Sequence, residues 1–235
     1  MTRIKAVLFD LDDTLYFEPN YVHSGFRAIA QYTAKRHGLD EHRVLNDLME
    51  ILQKEGRGKV FDYWIEREGL HDLVTVPELV NVYREHVPTI NFYPDVAPTL
   101  KRLRAKGLLL GVITDGNLLA QTNKVQALGV RDMVDLVICT DERGQAYWKP
   151  NPRVFLDALG SLKIRPKESI YIGNDPRKDF SGPEQIGMWA VHIERSHVGE
   201  HSCQADFHII GLDQVEKAIR FFDSKLEQFD AGRNQ

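Results

Sequence analysis

The chain has 235 residues, 43% of them hydrophobic, which is enough for one large domain or two small ones with an apolar core. Its 30 basic residues are scattered among 34 acidic ones, and this net charge of −4 argues against a nucleic-acid or anionic-membrane partner. No apolar run approaches the roughly 20 residues of a membrane span. Because the chain has two cysteines and lacks a signal-peptide pattern, we expect a cytoplasmic protein, either a monomer or a small homo-oligomer.

A strand followed by three acids stands at the start of the chain. Residues 4–9 are mostly apolar with β-branched and aromatic members, as in a strand that is covered on both faces. The run ends at Asp10, Asp12 and Asp13, where carboxylates are costly to desolvate. Ligands of open α/β sheets bind just beyond the carboxyl ends of the strands. Asp10 and Asp12 are therefore candidate site residues, and a solvated acidic turn is the competing interpretation.

Residues 16–93 have a purely helical pattern. Apolar residues recur at helical spacing in four segments, and Gly38 and Gly56 suit the ends of the first two. The later two predicted helices cover 61–67 and 77–86, the last with a proline in its first turn. We expect these residues to form an all-helical insert of the size of a small subdomain.

From residue 94 onward, predicted strands alternate with helices. The strands are expected at 108–113, 134–139, 169–172, 189–193 and 207–210. This alternation predicts right-handed βαβ units and a parallel sheet. The chain is therefore expected to be an α/β protein, with one core formed by residues 1–15 and 94–235 and interrupted by the helical cap at 16–93.

Polar groups suited to phosphate chemistry follow four of the strands. They are two carboxylates, a hydroxyl, an amine and a further acidic pair: Asp10, Asp12, Thr114, Lys149, Asp175 and Asp179. Because parallel strands end at one edge of their sheet, we expect these groups to converge. Each alone has an ordinary explanation, such as a helix cap for Thr114 or a solvated lysine for Lys149. The ordered set favours a site.

With these motifs, the sequence resembles the phosphatase branch of the haloacid dehalogenase superfamily over nearly the whole chain. The motifs are Asp10-x-Asp12-x-Thr14, Thr114, Lys149 and Gly173-Asn174-Asp175-x-x-x-Asp179. The resemblance implies a Rossmann-like parallel sheet with a type-one helical cap. It also implies a Mg²⁺-dependent phosphatase that acts on a small phosphorylated metabolite.

The resemblance implies a role for each catalytic residue. Asp10 is expected to be the nucleophile that forms an aspartyl-phosphate, and Asp12 to be the general acid and then the base. Thr114 is expected to bind a phosphoryl oxygen, helped by the neighbouring backbone at Asp115, where a helix starts. Lys149 is expected to bind the same group and balance its charge.

The metal site implied by the resemblance consists of Asp10, the backbone carbonyl of Asp12, and Asp175. A hard cation bound there offsets the repulsion between a carboxylate and a phosphate, which is about 4 kcal/mol for two unit charges at 4 Å and an effective dielectric of about 20. Many relatives carry an acid directly after the glycine of the last motif, whereas this chain has Asn174. Asp175, which stands four residues before Asp179, a spacing that the superfamily also uses, is expected to be the fourth-motif ligand, with the amide oxygen of Asn174 as the alternative.

Supporting roles fall to Thr14, which is expected to brace the loop, and to Asp179. Asp179 either binds the metal or orients its waters or Lys149. Gln121 and Lys124, on the helix after Thr114, are interpreted as part of a solvated helix face. The segment 56–59 is interpreted as an exposed connector, with a substrate-reading loop as the alternative.

Three other functions remain open from the sequence. A phosphomutase of the same fold uses Asp12 equally well and differs only in the final acceptor of the phosphoryl group. A metal-independent dehalogenase is disfavoured by Asp12, because a halide leaves without a general acid. A catalytically silent binding protein is disfavoured by the intact set of motifs, although Asn174 departs from it.

Overall fold

The computed structural model describes residues 3–195 and 205–232. Its sheet has six strands: β1 (Ala6–Phe9), β2 (Leu109–Thr114), β3 (Leu136–Cys139), β4 (Ser169–Gly173), β5 (Trp189–Ile193) and β6 (Phe207–Ile209). All neighbouring strands pair in parallel, in the order β3-β2-β1-β4-β5-β6. The predicted α/β, Rossmann-like architecture is confirmed, and β1 lies inside the sheet between β2 and β4.

Helices account for most of the remaining described chain. They are α1 (Glu18–His37), α2 (Glu41–Glu55), α3 (Val60–Glu68), α4 (Val76–Glu85), α5 (Val96–Ala105), α6 (Leu118–Ala127), α7 (Pro152–Leu162), α8 (Ser181–Ile186) and α9 (Val215–Gly232). Local sequence explains several of their ends. Gly38 ends α1 in the left-handed conformation at a φ of 70°, and the Asp40 side chain then caps α2. Within the described ranges, no helix is both long and apolar enough to cross a lipid bilayer.

The central strand β1 is buried on both faces, as its unbroken apolar sequence indicates. Val7 and Phe9 belong to one apolar cluster, which also contains residues from α5, α6 and α9. Ala6 and Leu8 point the opposite way, into a cluster with residues from α7. Since strand side chains alternate between faces, a strand of this kind needs apolar residues at every position.

The four helices α1 to α4 bury an apolar cluster of their own, around Ile29, Leu48, Trp64 and Leu79. This segment is tied to the sheet where the chain leaves and re-enters it. Residues Tyr16 and Phe92 form an antiparallel bridge there. The backbone N–H of Tyr93 also donates to the Leu15 carbonyl at 3.0 Å.

Candidate active site

The loop after β1 carries the first motif and is turned sharply by its own side chains. The Asp10 N–H still donates to the Ile172 carbonyl of β4, at 2.8 Å, so this residue is anchored to the sheet. Asp13 adopts a left-handed φ of 52°, which aspartate tolerates better than most residues, and its carboxylate accepts from the Glu18 N–H at 2.8 Å. Asp10 and Asp12 therefore project from a short, internally bonded turn.

A buried charge cluster surrounds Asp10. The Lys149 ammonium donates to Asp10 Oδ1 at 2.6 Å, to the Tyr171 hydroxyl at 2.7 Å and to Asp179 Oδ1 at 2.8 Å. The side chains of Lys149 and Asp179 are 0% exposed. Such charges are tolerated in a protein interior only when they are paired and hydrogen-bonded, as they are here. The structure thus places Lys149 and Asp179 together beside Asp10, at the end of β1.

Glycine at position 173 is required by the same cluster. A Cβ atom there would collide with the Asp179 carboxyl group. The other Asp179 oxygen accepts from the Asp175 N–H at 2.9 Å, so Asp179 also shapes the loop after β4. Asp179 therefore contacts both the Lys149 ammonium and the loop after β4.

The charges of this cluster oppose the effect of burial. Burial alone lowers the pKa of Lys149, but the carboxylates of Asp10 and Asp179 raise it well above its ordinary value, so the side chain stays an ammonium. Burial raises the pKa of Asp10 above the ordinary 3.8, and the positive charges of Lys149 and Lys178 offset part of this increase. The Lys178 ammonium lies 3.5 Å from Asp10 Oδ2. Nearby cations therefore help to keep the Asp10 carboxylate charged.

Asp12 lies in a different environment, made of three hydrogen-bond donors. Its Oδ1 accepts from the Tyr16 hydroxyl and from the Lys124 ammonium at 2.8 Å, and its Oδ2 accepts from Gln121 Nε2 at 2.9 Å. Burial on its own raises the pKa of Asp12, but Lys124 and these hydrogen bonds outweigh it and lower the pKa. The solvated face predicted for Gln121 and Lys124 is wrong, since both residues are buried.

Thr114 and Asp115, at the end of β2, connect the charge cluster around Asp10 with the donors around Asp12. The Thr114 hydroxyl accepts from the same Gln121 amide that binds Asp12. The Asp115 carboxylate accepts from the Thr140 hydroxyl at 2.7 Å and from the Lys149 N–H at 3.2 Å. The side chain of Asp115 thus anchors the loop that carries Lys149. The phosphate-binding role expected at Asp115 involves its backbone, which these side-chain contacts do not occupy.

The two fourth-motif candidates point in different directions. The Asp175 carboxylate accepts from Arg177 Nε at 2.9 Å and from its NH2 group at 2.8 Å, and this pairing lowers the pKa of Asp175. The amide oxygen of Asn174 instead accepts from the buried Thr14 hydroxyl at 3.4 Å. Asn174 therefore faces the loop that carries the first motif, whereas Asp175 is held by Arg177.

The donor chemistry of the site fits Mg²⁺. Among the described residues, no three His, Cys, Asp or Glu side chains are grouped to hold a metal ion. The predicted ligand set does not need three, because one of its members is the backbone carbonyl of Asp12. Its other members are the Asp10 carboxylate and an oxygen of Asn174 or Asp175. All are hard oxygen donors that follow β1 and β4, which are neighbouring parallel strands.

Several polar residues in this site were not predicted from the sequence. Lys178 stands between the motif positions and carries no sequence signal of its own, although it directly precedes Asp179. Gln121 and Lys124 carry a weak signal, since residues three apart share a helix face and their helix starts right after Thr114. The Tyr16 hydroxyl also donates to Asp12.

Comparison with known proteins finds hydrolases, among them phosphatases, as relatives of this chain. A family model for haloacid dehalogenase-like hydrolases matches residues 4–187. The chain is 32% identical over 200 residues to the glyceraldehyde 3-phosphate phosphatase of Methanopyrus kandleri, covering 82% of this chain and 84% of that protein. The crystal structure of a HAD phosphatase from Thermococcus onnurineus shares 28% identity and a TM-score of 0.62, covering 92% of this chain and 97% of its own.

A related fold also serves another reaction. A crystal structure of the 2-haloacid dehalogenase from Pseudomonas syringae pv. Tomato DC3000 shares 26% identity and a TM-score of 0.64, covering 93% of this chain and 99% of its own. The chain belongs to the haloacid dehalogenase-like hydrolase family. Within that family it is a hydrolase of the phosphatase type.

Proposed function

We propose that this phosphatase is Mg²⁺-dependent and hydrolyses a small phosphorylated sugar through an aspartyl-phosphate on Asp10. The observation that carries the proposal is the 2.6 Å contact between the Lys149 ammonium and Asp10 Oδ1, buried at the end of the central strand. A carboxylate placed there is held ready to attack an electrophile. The lysine then balances the negative charge that a phosphoryl group brings.

The proposed reaction consists of two successive displacements at phosphorus. In the first, an Asp10 oxygen attacks phosphorus, and the ester oxygen leaves with the proton of Asp12. In the second, Asp12 takes a proton from water, which attacks phosphorus and releases inorganic phosphate and the free Asp10 carboxylate. Thr114 and Lys149 hold the phosphoryl oxygens throughout. Asp10, the Asp12 carbonyl and Asn174 or Asp175 would hold Mg²⁺, which would supply positive charge that reduces the repulsion between nucleophile and substrate.

The proposed substrate class is inferred from the relatives of this chain and from the helical segment 16–93. The Methanopyrus kandleri relative is named for glyceraldehyde 3-phosphate, so a triose phosphate is the first compound to test. We propose that residues 16–93 act as the cap over the site and select the sugar. Their helices line an open cavity of about 270 Å³, whose wall is mainly apolar and also includes Arg57 and Arg84, two cations that could contact an anionic group. A cytoplasmic enzyme with no nucleic-acid or membrane partner accords with this function.

Phosphate release tests the proposal directly. The wild-type chain is assayed with p-nitrophenyl phosphate and with a panel of triose and pentose phosphates, with Mg²⁺ and after chelation. We expect Asp10→Asn to lower kcat/KM by at least about a thousandfold on every ester, because the nucleophile is lost. Chelation is expected to abolish turnover and added Mg²⁺ to restore it.

The matched control is Asp72→Asn, which changes an exposed aspartate and should leave the rates unchanged. Activity that survives Asp10→Asn, or that is indifferent to chelation, contradicts the mechanism. Transfer of the phosphoryl group to a second sugar hydroxyl, with no free phosphate, identifies a phosphomutase instead.

A further inference from the structure

Three donors surround the carboxylate of Asp12, and two of them come from a helix that carries none of the recognised motifs. Tyr16 and Lys124 both donate to Oδ1, and Gln121 donates to Oδ2. A carboxylate offers about four acceptor sites, two on each oxygen. Three of the four are filled by these donors, so the open acceptor site of Asp12 lies on Oδ2.

The two helix residues are placed by α6, which starts directly after β2. The Asn117 side chain caps the helix by accepting from the Ala120 N–H at 3.2 Å. Gln121 and Lys124 are three residues apart and so share the face turned toward the β1 loop. They are only 2% and 5% exposed, so neither side chain extends into solvent.

Lys124 is held on its second side as well. Its ammonium lies 4.2 Å from the centre of the Tyr21 ring on α1, within range of a cation–π interaction. Burying a lysine beside an aspartate contributes little to folding, because the desolvation of both ions offsets their attraction. The arrangement is better explained by what it does to Asp12, whose carboxylate cannot rotate without losing several of these contacts.

Gln121 links the orientation of Asp12 to the predicted phosphate site. Its Nε2 group donates one hydrogen to Asp12 Oδ2 and the other to the Thr114 hydroxyl. Oδ2 therefore lies on the side of the carboxylate that faces Thr114. This is the oxygen that must reach the ester oxygen when the phosphoryl group is bound at Thr114.

We propose that Gln121 and Lys124 are positioning residues that orient the Asp12 carboxyl group so that Oδ2 carries the proton to and from the substrate. This inference rests on the proposed acid–base role of Asp12. The proton passes from Oδ2 to the leaving oxygen as the P–O bond breaks, and it returns to Oδ2 from water in the second displacement. Neither positioning residue exchanges a proton with the substrate.

The leaving group of the ester provides the test. p-Nitrophenolate leaves with little help from an acid, whereas the alkoxide of glycerol phosphate needs protonation. Gln121→Leu and Lys124→Met are therefore expected to lower kcat/KM for glycerol phosphate by about tenfold or more, and for p-nitrophenyl phosphate by less than about threefold. Lys124→Arg keeps the cation and is expected to restore the ratio of the two rates to near the wild-type value.

Two surface variants are the matched controls. Gln126→Leu changes an exposed glutamine of α6, and Lys101→Met changes an exposed lysine of α5. Both should leave the ratio unchanged. If Lys124→Met fails to fold, as judged by circular dichroism, Gln121→Leu together with Lys124→Arg decides the question, because each retains most of the buried contacts.

A double-mutant cycle separates this inference from the proposed function. Asp12→Asn should lower the alkyl-to-aryl ratio, and adding Gln121→Leu to it should lower the ratio no further. The positioning role is overturned if Asp12→Asn changes the ratio while Gln121→Leu and Lys124→Met reduce both esters equally. If Asp12→Asn leaves the ratio unchanged, the acid–base role of Asp12 fails, and the positioning role fails with it.

Discussion

Asp10 and Asp12 are two residues apart, yet their surroundings differ in kind. Asp10 is enclosed by charges, namely the ammonium groups of Lys149 and Lys178 and the carboxylate of Asp179. Asp12 is enclosed by directional donors, a phenol, an amide and one ammonium. The difference matches the two proposed tasks, since a nucleophile needs its negative charge supported and an acid–base group needs a fixed direction.

The largest effect is expected from breaking the charge cluster at its centre. Lys149→Met leaves two buried carboxylates, Asp10 and Asp179, without their shared cation. The loss of one partner from a buried ion pair costs about 3–5 kcal/mol. We expect a decrease of that size in the free energy of unfolding, measured by urea titration, together with nearly complete loss of phosphatase activity.

The exposed Lys101→Met variant controls for loss of a lysine elsewhere. A Lys149→Met protein as stable as the wild type would show that the cluster is not held together by this ammonium. Loss of activity without loss of stability would place the role of Lys149 in the chemistry alone.

A smaller effect distinguishes the two carboxylates by pH. The pKa of Asp12 is lowered in the folded chain, so its ionised form stabilises the fold above the ordinary value of 3.8, and this stability is lost as the pH falls. The pKa of Asp10 is raised by burial, so stability is instead lost as the pH rises through the folded pKa. The two groups thus make opposite contributions to the pH dependence of unfolding.

Urea titrations in the presence of a chelator, from about pH 2 to about pH 8, measure this contrast, because the Asp12 contribution changes mainly below the ordinary pKa of 3.8 and the Asp10 contribution above it. Relative to the wild type, Asp10→Asn should gain stability as the pH rises and Asp12→Asn should lose it. Trends of the same sign in both variants would refute the contrast between charge support and orientation.

The smallest effects come from a matched pair of tyrosines. Tyr16→Phe removes one donor from Asp12, and Tyr171→Phe removes a hydroxyl that contacts Lys149 and Asp179. We expect Tyr16→Phe to lower the rate with glycerol phosphate a few-fold more than the rate with p-nitrophenyl phosphate. Tyr171→Phe should lower both rates alike, and Tyr63→Phe, at an exposed position, should change neither. Identical patterns for Tyr16→Phe and Tyr171→Phe would contradict the separation of roles.

The residues that could be predicted from the sequence follow a simple rule of sheet geometry. Apolar runs of strand length alternate with helices, and the polar residue after each run is brought to a common edge. This rule predicts that Asp10 and Thr114 lie at the same edge of the sheet, and the structure places them after β1 and at the end of β2, which are paired strands. The contact between Lys149 and Asp10, which are 139 positions apart in the chain, also follows from this rule, once the lysine is assigned to a loop at that edge.

The donors around Asp12 could not be predicted in this way. A polar residue on an amphipathic helix has the same spacing whether it faces water or another buried polar group. The burial of Gln121 and Lys124 depends on where the β1 loop meets α6, which is a contact between residues about a hundred positions apart. The pairing of Asp175 with Arg177 depends on the backbone of a short loop, which residue spacing does not determine.

The central claim is that a protein carboxylate carries the phosphoryl group between two displacements. Hydrolysis of a substrate whose phosphorus is made chiral with oxygen isotopes tests this most directly. Two in-line displacements predict that the configuration at phosphorus is retained in the product. Inversion would mean that water attacks the substrate in a single step, and it would contradict the proposed role of Asp10 as nucleophile.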